Sequence, residues 1–561
     1  MNLLRPHRLF SAVAWACLSI SGYSVASDSS DTVRINVVSI NDLHGYLEAT
    51  PQDFPAADGS VIRQDYGGIA TLGAMLDQLR MEDPDLLFVG AGDLIGGSPA
   101  ASAFWADEPV LEALNSMGMI VSSSGNHELD AGKAEFLRQI HGGCESTRPD
   151  KACQFRDSYP GSGFPYIAAN LIDTETGKLL LPAYHIQQTK GVKIAFVGAV
   201  PRELSKVVSA RALAGLEVRD EADAINQVIP ELKAQGVNAI IAVMHQGGHT
   251  PERFDKQDCS QLSGRIVDVA TRLDDSVDAI VSGHTHASHQ CKVGKLPVVQ
   301  AGKYGQFLSR VTMDVTRGTH EVTNITTQNL VADPQEYVPN AKLAELVEQV
   351  RQRSNAKLLE PVGRIAVAEL NRKANAAGET TLGNLIADAQ LAITEPFNTQ
   401  IAFTNLGGLR SDLIQASDRE LTYEQLFAVQ PFNNSLVVQD LTGDQIIQLL
   451  NQQWNRGDFK PLQPSKGFHY AWDASRPVGS RVIPGSVHLD GSPIASSRNY
   501  RVVTNSFVAD GGGGLFTFKE GKRREDTGIS DLDALVEYVR RNHERGAAIG
   551  HFDKPRISLA R

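Results

Sequence analysis

Five apolar runs in the first half of the chain each end in a turn carrying aspartate, asparagine or histidine. No other feature limits the fold as much. Val33 to Ile40 leads into Asn41-Asp42-Leu43-His44-Gly45, and Leu86-Leu87-Phe88-Val89 into Gly90-Ala91-Gly92-Asp93. Met119 to Ser124 precedes Gly125-Asn126-His127-Glu128, with Asp130 just after. Asn238 to Met244 ends at His245, and Asp278-Ala279-Ile280-Val281 at Ser282-Gly283-His284-Thr285-His286. Continuous apolar runs of this kind read as strands buried on both faces. Lys193 to Val200 reads as another strand, but its exit carries no ligand type. Val298 to Gly302 and Ser309 to Val315 read as closing strands.

Side chains delivered at strand exits are held on loops above a rigid scaffold, where binding and catalytic groups gather. Asp42 and His44 are two residues apart and point the same way if the strand continues. Asp130 lies three residues after His127 and shares its face if a helix starts there, so the carboxylate can orient the ring. A pair of metal ions needs about seven or eight ligands of this oxygen and nitrogen mixture, which suits zinc, manganese or similar ions. Asp93, with two oxygens, can bridge both ions.

At 561 residues the chain is too long for one hydrophobic core, so two or more domains are expected. Its 42% hydrophobic and 21% charged residues fit a globular protein. A net charge of -12 argues against a general binder of nucleic-acid polymers or anionic membranes. Arg5 and Arg8, the apolar stretch Leu9 to Ile20 and the small residues Ser24-Val25-Ala26 read as an export signal over residues 1–26, and hence as a periplasmic or secreted protein. No other run is long enough to span a membrane. Beyond Cys17 the cysteines are Cys144, Cys153, Cys259 and Cys291, an even number that suggests disulfides in an exported chain. Three pairings are open. Cys144 with Cys153 would close a short polar loop, and Cys259 with Cys291 would bracket the second histidine cluster. Zinc ligation is the alternative, without the usual Cys-x-x-Cys spacing.

The division expected is a first domain over 31–330, a linker helix over 331–360 and a second domain over 361–561. Pro334, Pro339 and Pro361 flank the linker, and Leu343, Leu346, Val347 and Val350 fall at helical spacing within it. In the second domain, Leu382 to Ala389 reads as the start of a packing helix. Ile401-Ala402-Phe403-Thr404 reads as a strand running into Asn405-Leu406-Gly407-Gly408-Leu409-Arg410. The paired glycines let backbone amides approach an anion, and Arg410 can grip phosphate. Phe432 and Phe507 sit among small and polar residues. They either sandwich a flat base or belong to the core.

The N-terminal motifs, in this order, resemble the calcineurin-like metallophosphoesterases, and the whole resembles the secreted 5'-nucleotidase and UDP-sugar hydrolase family. The resemblance implies an α/β fold: a two-sheet sandwich flanked by helices, joined by a helix to a smaller α+β substrate-binding domain. It implies two divalent ions, one held by Asp42, His44, Asp93 and His286, the other by Asp93, Asn126, His245 and His284. His127, paired with Asp130, is then catalytic and binds no metal. Asn405 and Arg410 contact substrate, Phe432 and Phe507 stack on the base, and the two domains move relative to one another. The implied activity is hydrolysis of nucleoside 5'-monophosphates or UDP-sugars, by a hydroxide that the ions activate to attack phosphorus. Alternatives are 2',3'-cyclic-nucleotide phosphodiesterase with 3'-nucleotidase activity, NAD pyrophosphatase, or a nucleotide-binding or host-interaction protein without catalysis. The implied partner is a nucleotide or nucleotide-sugar, and the chain is a monomer or dimer. Three positions depart from the family pattern. Gly378 stands where an arginine often precedes the Glu379 segment, Leu406 stands in the glycine run before Arg410, and Gly513 stands where many members carry an aspartate for the ribose. Arg372 or Lys373 could supply the missing charge.

Overall fold

The computed structural model describes residues 32–55, 61–209, 211–415, 420–432, 434–455, 459–547, 549–550, 552 and 554–560. The export signal expected over residues 1–26 lies outside them. The strands of the first half are β1 (Thr32–Ile40), β2 (Leu87–Ala91), β3 (Met119–Ser123), β4 (Tyr166–Ile167), β5 (Tyr184–Thr189) and β6 (Val192–Ala199). They continue with β7 (Ala239–Met244), β8 (Ala279–Ser282), β9 (Ser288–Val293), β10 (Leu296–Ala301), β11 (Phe307–Thr316) and β12 (Val322–Val331). These twelve form two six-stranded sheets, in the orders β12-β11-β1-β2-β3-β4 and β9-β10-β8-β7-β6-β5. Within the first sheet β1, β2, β3 and β4 run parallel, and within the second β6, β7, β8 and β10 do. The five apolar runs with Asp, Asn or His at their exits are therefore parallel strands, and within each sheet their C-terminal ends leave on the same side.

The alternation along β1 explains why its sequence is apolar throughout. Ile35 and Val37 point between the sheets, where they join Val89, Val121, Phe196, Ile241 and Val281 in one buried cluster. Val38 and Ile40 point outward, against Leu72, Met75 and Leu76 of helix α1 (Ile69–Glu82). The second sheet is covered the same way by Ala222, Ile225 and Leu232 of α2 (Glu221–Ala234). Each sheet is thus buried on both faces. A hairpin of Ala49–Pro55 with Val61–Gly67, which the sequence reading did not anticipate, follows the first ligand loop.

Helix α3 (Ala341–Leu358) leads out of this sandwich, and the Asn340 side chain caps it by accepting from the Leu343 N–H at 3.2 Å. Leu343, Leu346 and Val350 pack into the first-half core, while Leu358 belongs to a core of the second half. There, β13 (Ile401–Asn405), β14 (Ser435–Thr442), β15 (Leu462–Pro464), β16 (Asn499–Asn505) and β17 (Lys522–Ser530) form a sheet in the order β15-β13-β16-β14-β17. Helices α4 (Thr381–Ile393) and α5 (Asp531–Glu544) cover one face. Phe403, Trp454, Phe468, Tyr470 and Trp472 form an aromatic core elsewhere in this half. Of the three pairings left open, the structure has Cys144 bonded to Cys153 and Cys259 to Cys291.

Candidate metal centre

The loops after β1 and β2 are tied to each other by main chain. Asp42 N–H donates to Gly92 O at 3.0 Å, His44 N–H to Asp93 O at 2.9 Å and Gly45 N–H to Leu94 O at 2.9 Å. The strand ends at Ile40, so Asp42 and His44 do not share a face by strand alternation. Both lie in the left-handed region, with φ of 50° and 49°, and so do Asp93, His284 and His286 at 50°, 76° and 58°. Such conformations cost about 1–3 kcal/mol each away from glycine and concentrate at functional sites. The Asp93 turn is held by a clamp around Glu128. Its buried carboxylate accepts from the N–H groups of Asp93 (2.9 Å), Leu94 (2.8 Å) and Gly125 (2.7 Å). Gly125 allows the close approach, since a Cβ there would collide with Asp93 Oδ1.

The side chains then converge. Asp42, His44 and His286 bring ligand atoms within 4.8 Å of one another, and so do Asp93, His245 and His284. His44 Nε2 lies 3.0 Å from His286 Nε2 and 3.7 Å from Asp93 Oδ2, while Asp42 Oδ1 lies 3.4 Å from His286 Nε2. His245 Nε2 stands 2.9 Å from the same Asp93 oxygen, and His284 Nδ1 is 2.9 Å from Asn126 Oδ1. Asp93 therefore sits between the two groups, and its Oδ1 accepts from His127 N–H at 2.8 Å.

The donor set fits cations. His44 and His245 each donate Nδ1–H to a backbone carbonyl, of Gly96 and Ala91 respectively, both at 2.8 Å. With Nδ1 so committed, each ring aims Nε2 inward, the arrangement usual for metal-ligating histidine. His245 Nε2 is buried 2.9 Å from an Asp93 carboxylate oxygen; burial opposes charge on this ring, but Asp93 and Asp42 outweigh it and hold its pKa up to about 10. A metal cation between them would take the place of that proton. Burial pushes the Asp42 carboxyl up to about 7 and the His44 imidazole down to about 3, the cost of gathering these groups without a counter-charge.

His127 also brings a ring nitrogen within 4.8 Å of ligand atoms of His44 and Asp93, but its other nitrogen has a different partner. It lies on a single short turn, His127–Leu129, rather than a longer helix, yet its Nδ1 meets Asp130 Oδ2 at 2.7 Å. Burial opposes charge on the ring, but the carboxylates of Asp130 and Asp93 outweigh it and hold its pKa above the ordinary value. Its ring is stacked on Phe432, with centroids 5.5 Å apart and planes 8° apart. Phe432 belongs to the second half of the chain, and the Arg410 guanidinium lies over its ring at 5.4 Å.

Between the halves runs a cleft of about 390 Å³. Asp93, Asn126, His127, His284 and His286 line one part of it, and Asn405, Arg410, Phe432 and Phe507 also line it. Both phenylalanines are half-buried, so neither is a closed core residue. Asn405 is oriented by Asn505, whose Nδ2 donates to its Oδ1 at 3.0 Å. The proposed stand-in Arg372 is absent from the lining and pairs with Asp412 at 3.3 Å. Lys460, which the sequence reading missed, does line the cleft. A side chain at Gly378 would run into Phe459 and Pro461, so the segment bearing Lys460 occupies the space an arginine there would need. Gly513 lines the cleft, where a Cβ would meet only Leu515 Cδ1 at 3.8 Å, but its φ of 71° favours glycine. The role of Glu128 was also missed, although it lies inside the quoted Gly-Asn-His-Glu motif.

Comparison with known proteins agrees with this geometry. Residues 35–288 match the family model of calcineurin-like phosphoesterases, and residues 361–520 that of the 5'-nucleotidase C-terminal domain. A cell wall protein of Listeria monocytogenes is 31% identical over 558 residues, which cover 94% of this chain and 69% of that protein. An endonuclease of Bacillus subtilis is 30% identical over 559 residues, covering 99% of this chain and 43% of its own length. The crystal structure of a 5'-nucleotidase precursor from Thermus thermophilus superposes with a TM-score of 0.72 at 25% identity, covering 94% of this chain and 99% of that one.

Proposed function

The chain belongs to the calcineurin-like phosphoesterases that carry a 5'-nucleotidase C-terminal domain, metal-dependent hydrolases of phosphoric esters, and we propose that it acts as a 5'-nucleotidase with two divalent ions. The observation that carries this reading is the position of Asp93, shared between two ligand groups at the floor of a cleft whose walls hold Phe432, Phe507 and Arg410. Asp42, His44, Asp93 and His286 would hold one ion, and Asp93, Asn126, His245 and His284 the other. Once bound, such ions lower the pKa of water and neutralise phosphoryl charge.

The chain's own groups do the rest. Arg410 grips phosphate oxygens, Asn405 positions the substrate, and Phe432 and Phe507 take the base between them. His127 keeps a proton on Nδ1 against Asp130 and presents Nε2–H to charge developing on the phosphoryl or leaving oxygen. The two disulfides support a site of action outside the cytoplasm, as do the signal-like first residues. No helix among the described residues is long and apolar enough to cross a membrane. The test is phosphate release by the metal-loaded protein from AMP, UDP-glucose, 2',3'-cyclic AMP, 3'-AMP and NAD. AMP should give the highest kcat/KM. A preference for the cyclic or 3'-phosphates, or no release at all, overturns the reading.

A further inference from the structure

Asn434 lines the cleft beside Phe432, and its amide is not free to turn. Its Nδ2 donates to Asp531 Oδ2 at 3.3 Å, and its backbone carbonyl accepts from Asp531 N–H at 2.8 Å. Asp531 is the first residue of α5, and its other oxygen, Oδ1, accepts from Leu532 N–H at 2.9 Å. Ser530 caps the same helix by accepting from Asp533 N–H at 2.9 Å, so the carboxylate stands on a fixed helix end. Asp531 is buried, while Asn434 is half-buried. Burial pushes the Asp531 carboxyl up to about 7, so the ionised form that takes the amide's NH2 prevails in mildly alkaline solution. The Asn434 amide thus turns its NH2 inward. Oδ1, which has no hydrogen-bond partner among the described residues, is the polar atom left to the cleft. An amide held this way offers a base an acceptor and no donor.

We propose that Asp531 is a positioning residue for base recognition: it fixes the Asn434 amide so that the cleft favours a base with an exocyclic amino group, adenine above hypoxanthine. The proposal rests on the nucleotidase reading, with the base between Phe432 and Phe507. The group at position 6 of the purine separates the two bases. An amine there donates to Asn434 Oδ1, whereas a carbonyl oxygen opposes it and leaves both acceptors unpaired. The carboxylate makes the orientation reversible by one atom. In Asp531→Asn the side-chain oxygen stays with Leu532 N–H, and the new NH2 takes the place of Oδ2. That NH2 needs an acceptor, so the Asn434 amide turns over and shows its own NH2 to the cleft.

The experiment measures kcat/KM for AMP, IMP and purine riboside 5'-monophosphate, which has hydrogen at position 6. The metal-loaded proteins are wild type, Asp531→Asn, Asn434→Ala and the double variant Asp531→Asn with Asn434→Asp, at about pH 8.5. Wild type should favour AMP over IMP about tenfold, with the unsubstituted purine between them. Asp531→Asn should invert that order and Asn434→Ala should level it. The double variant, which again turns an oxygen to the cleft, should favour AMP. A wild type that favours IMP or does not discriminate overturns the proposal. So does an Asp531→Asn protein that loses activity equally on all three, the result of a merely structural role. Should Asp531→Asn not fold, Asn434→Ala decides, because an unchanged order there also overturns it. Release of phosphate from none of the three by wild type refutes the nucleotidase reading itself.

Discussion

Glu128 and His127 are neighbours with separate tasks, and substitution separates them. Glu128→Ala leaves the N–H groups of Asp93, Leu94 and Gly125 without their acceptor, at a cost of about 1–3 kcal/mol for each that stays buried and unpaired. The left-handed turn at Asp93 then loses its support, and the loop that accepts the main-chain bonds of Asp42 and His44 loosens with it. The variant should melt at a lower temperature and retain less divalent metal after gel filtration; full metal content at an unchanged melting temperature contradicts the clamp. His127→Ala removes a donor but no proposed ligand. Its turnover should fall about 10²–10³-fold with metal content intact, and near-normal turnover would refute the role. Arg410→Ala should act differently again, raising KM for AMP while metal content stays at the wild-type level, because its guanidinium reaches the cleft from the other half of the chain.

At the scale of elements, β1, β2, β3, β7 and β8 were legible because burial on both faces writes an unbroken apolar run, and their exits were legible because Asp, Asn and His are conspicuous there. The backbone of those exits was not legible. Asp42-Leu43-His44 fits an extended strand as well as a turn, and only the hydrogen bonds from the neighbouring loop decide between them. The short turn at His127 is a milder case, since spacing alone gave the contact with Asp130. The Cys144–Cys153 loop carries its own prediction. Glu135 is buried, which by itself would raise its pKa, but bonds from Arg138, Ser146 and Arg148 lower it to about 2. A carboxylate whose folded pKa is depressed adds stability above its unfolded pKa of about 4.3, and that stability is lost as pH falls toward about 2. Urea midpoints measured between pH 5 and pH 3 should therefore drop more steeply for wild type than for Glu135→Gln. Parallel curves would contradict the assignment.

Over the whole molecule the site belongs to two halves joined by α3, whose Leu346 and Leu358 sit in different cores. The proposed metal ligands are all in one half and were readable from local patterns. The cleft is shared, and that is why its far side was read less well. Lys460 lies in no motif, and it reaches the cleft only because Gly378 leaves room for Phe459 and Pro461. Phe432 and Phe507 look like core residues in sequence and meet the cleft only once the halves are docked. The central claim is that loops from two sheets cage a pair of cations around Asp93. Metal analysis of the purified protein after equilibration with manganese or zinc tests it most directly. Two ions per chain are expected for wild type, one for His286→Ala and none retained tightly by Asp93→Ala. A wild type that binds no ion, or an Asp93→Ala variant that keeps two, would contradict it.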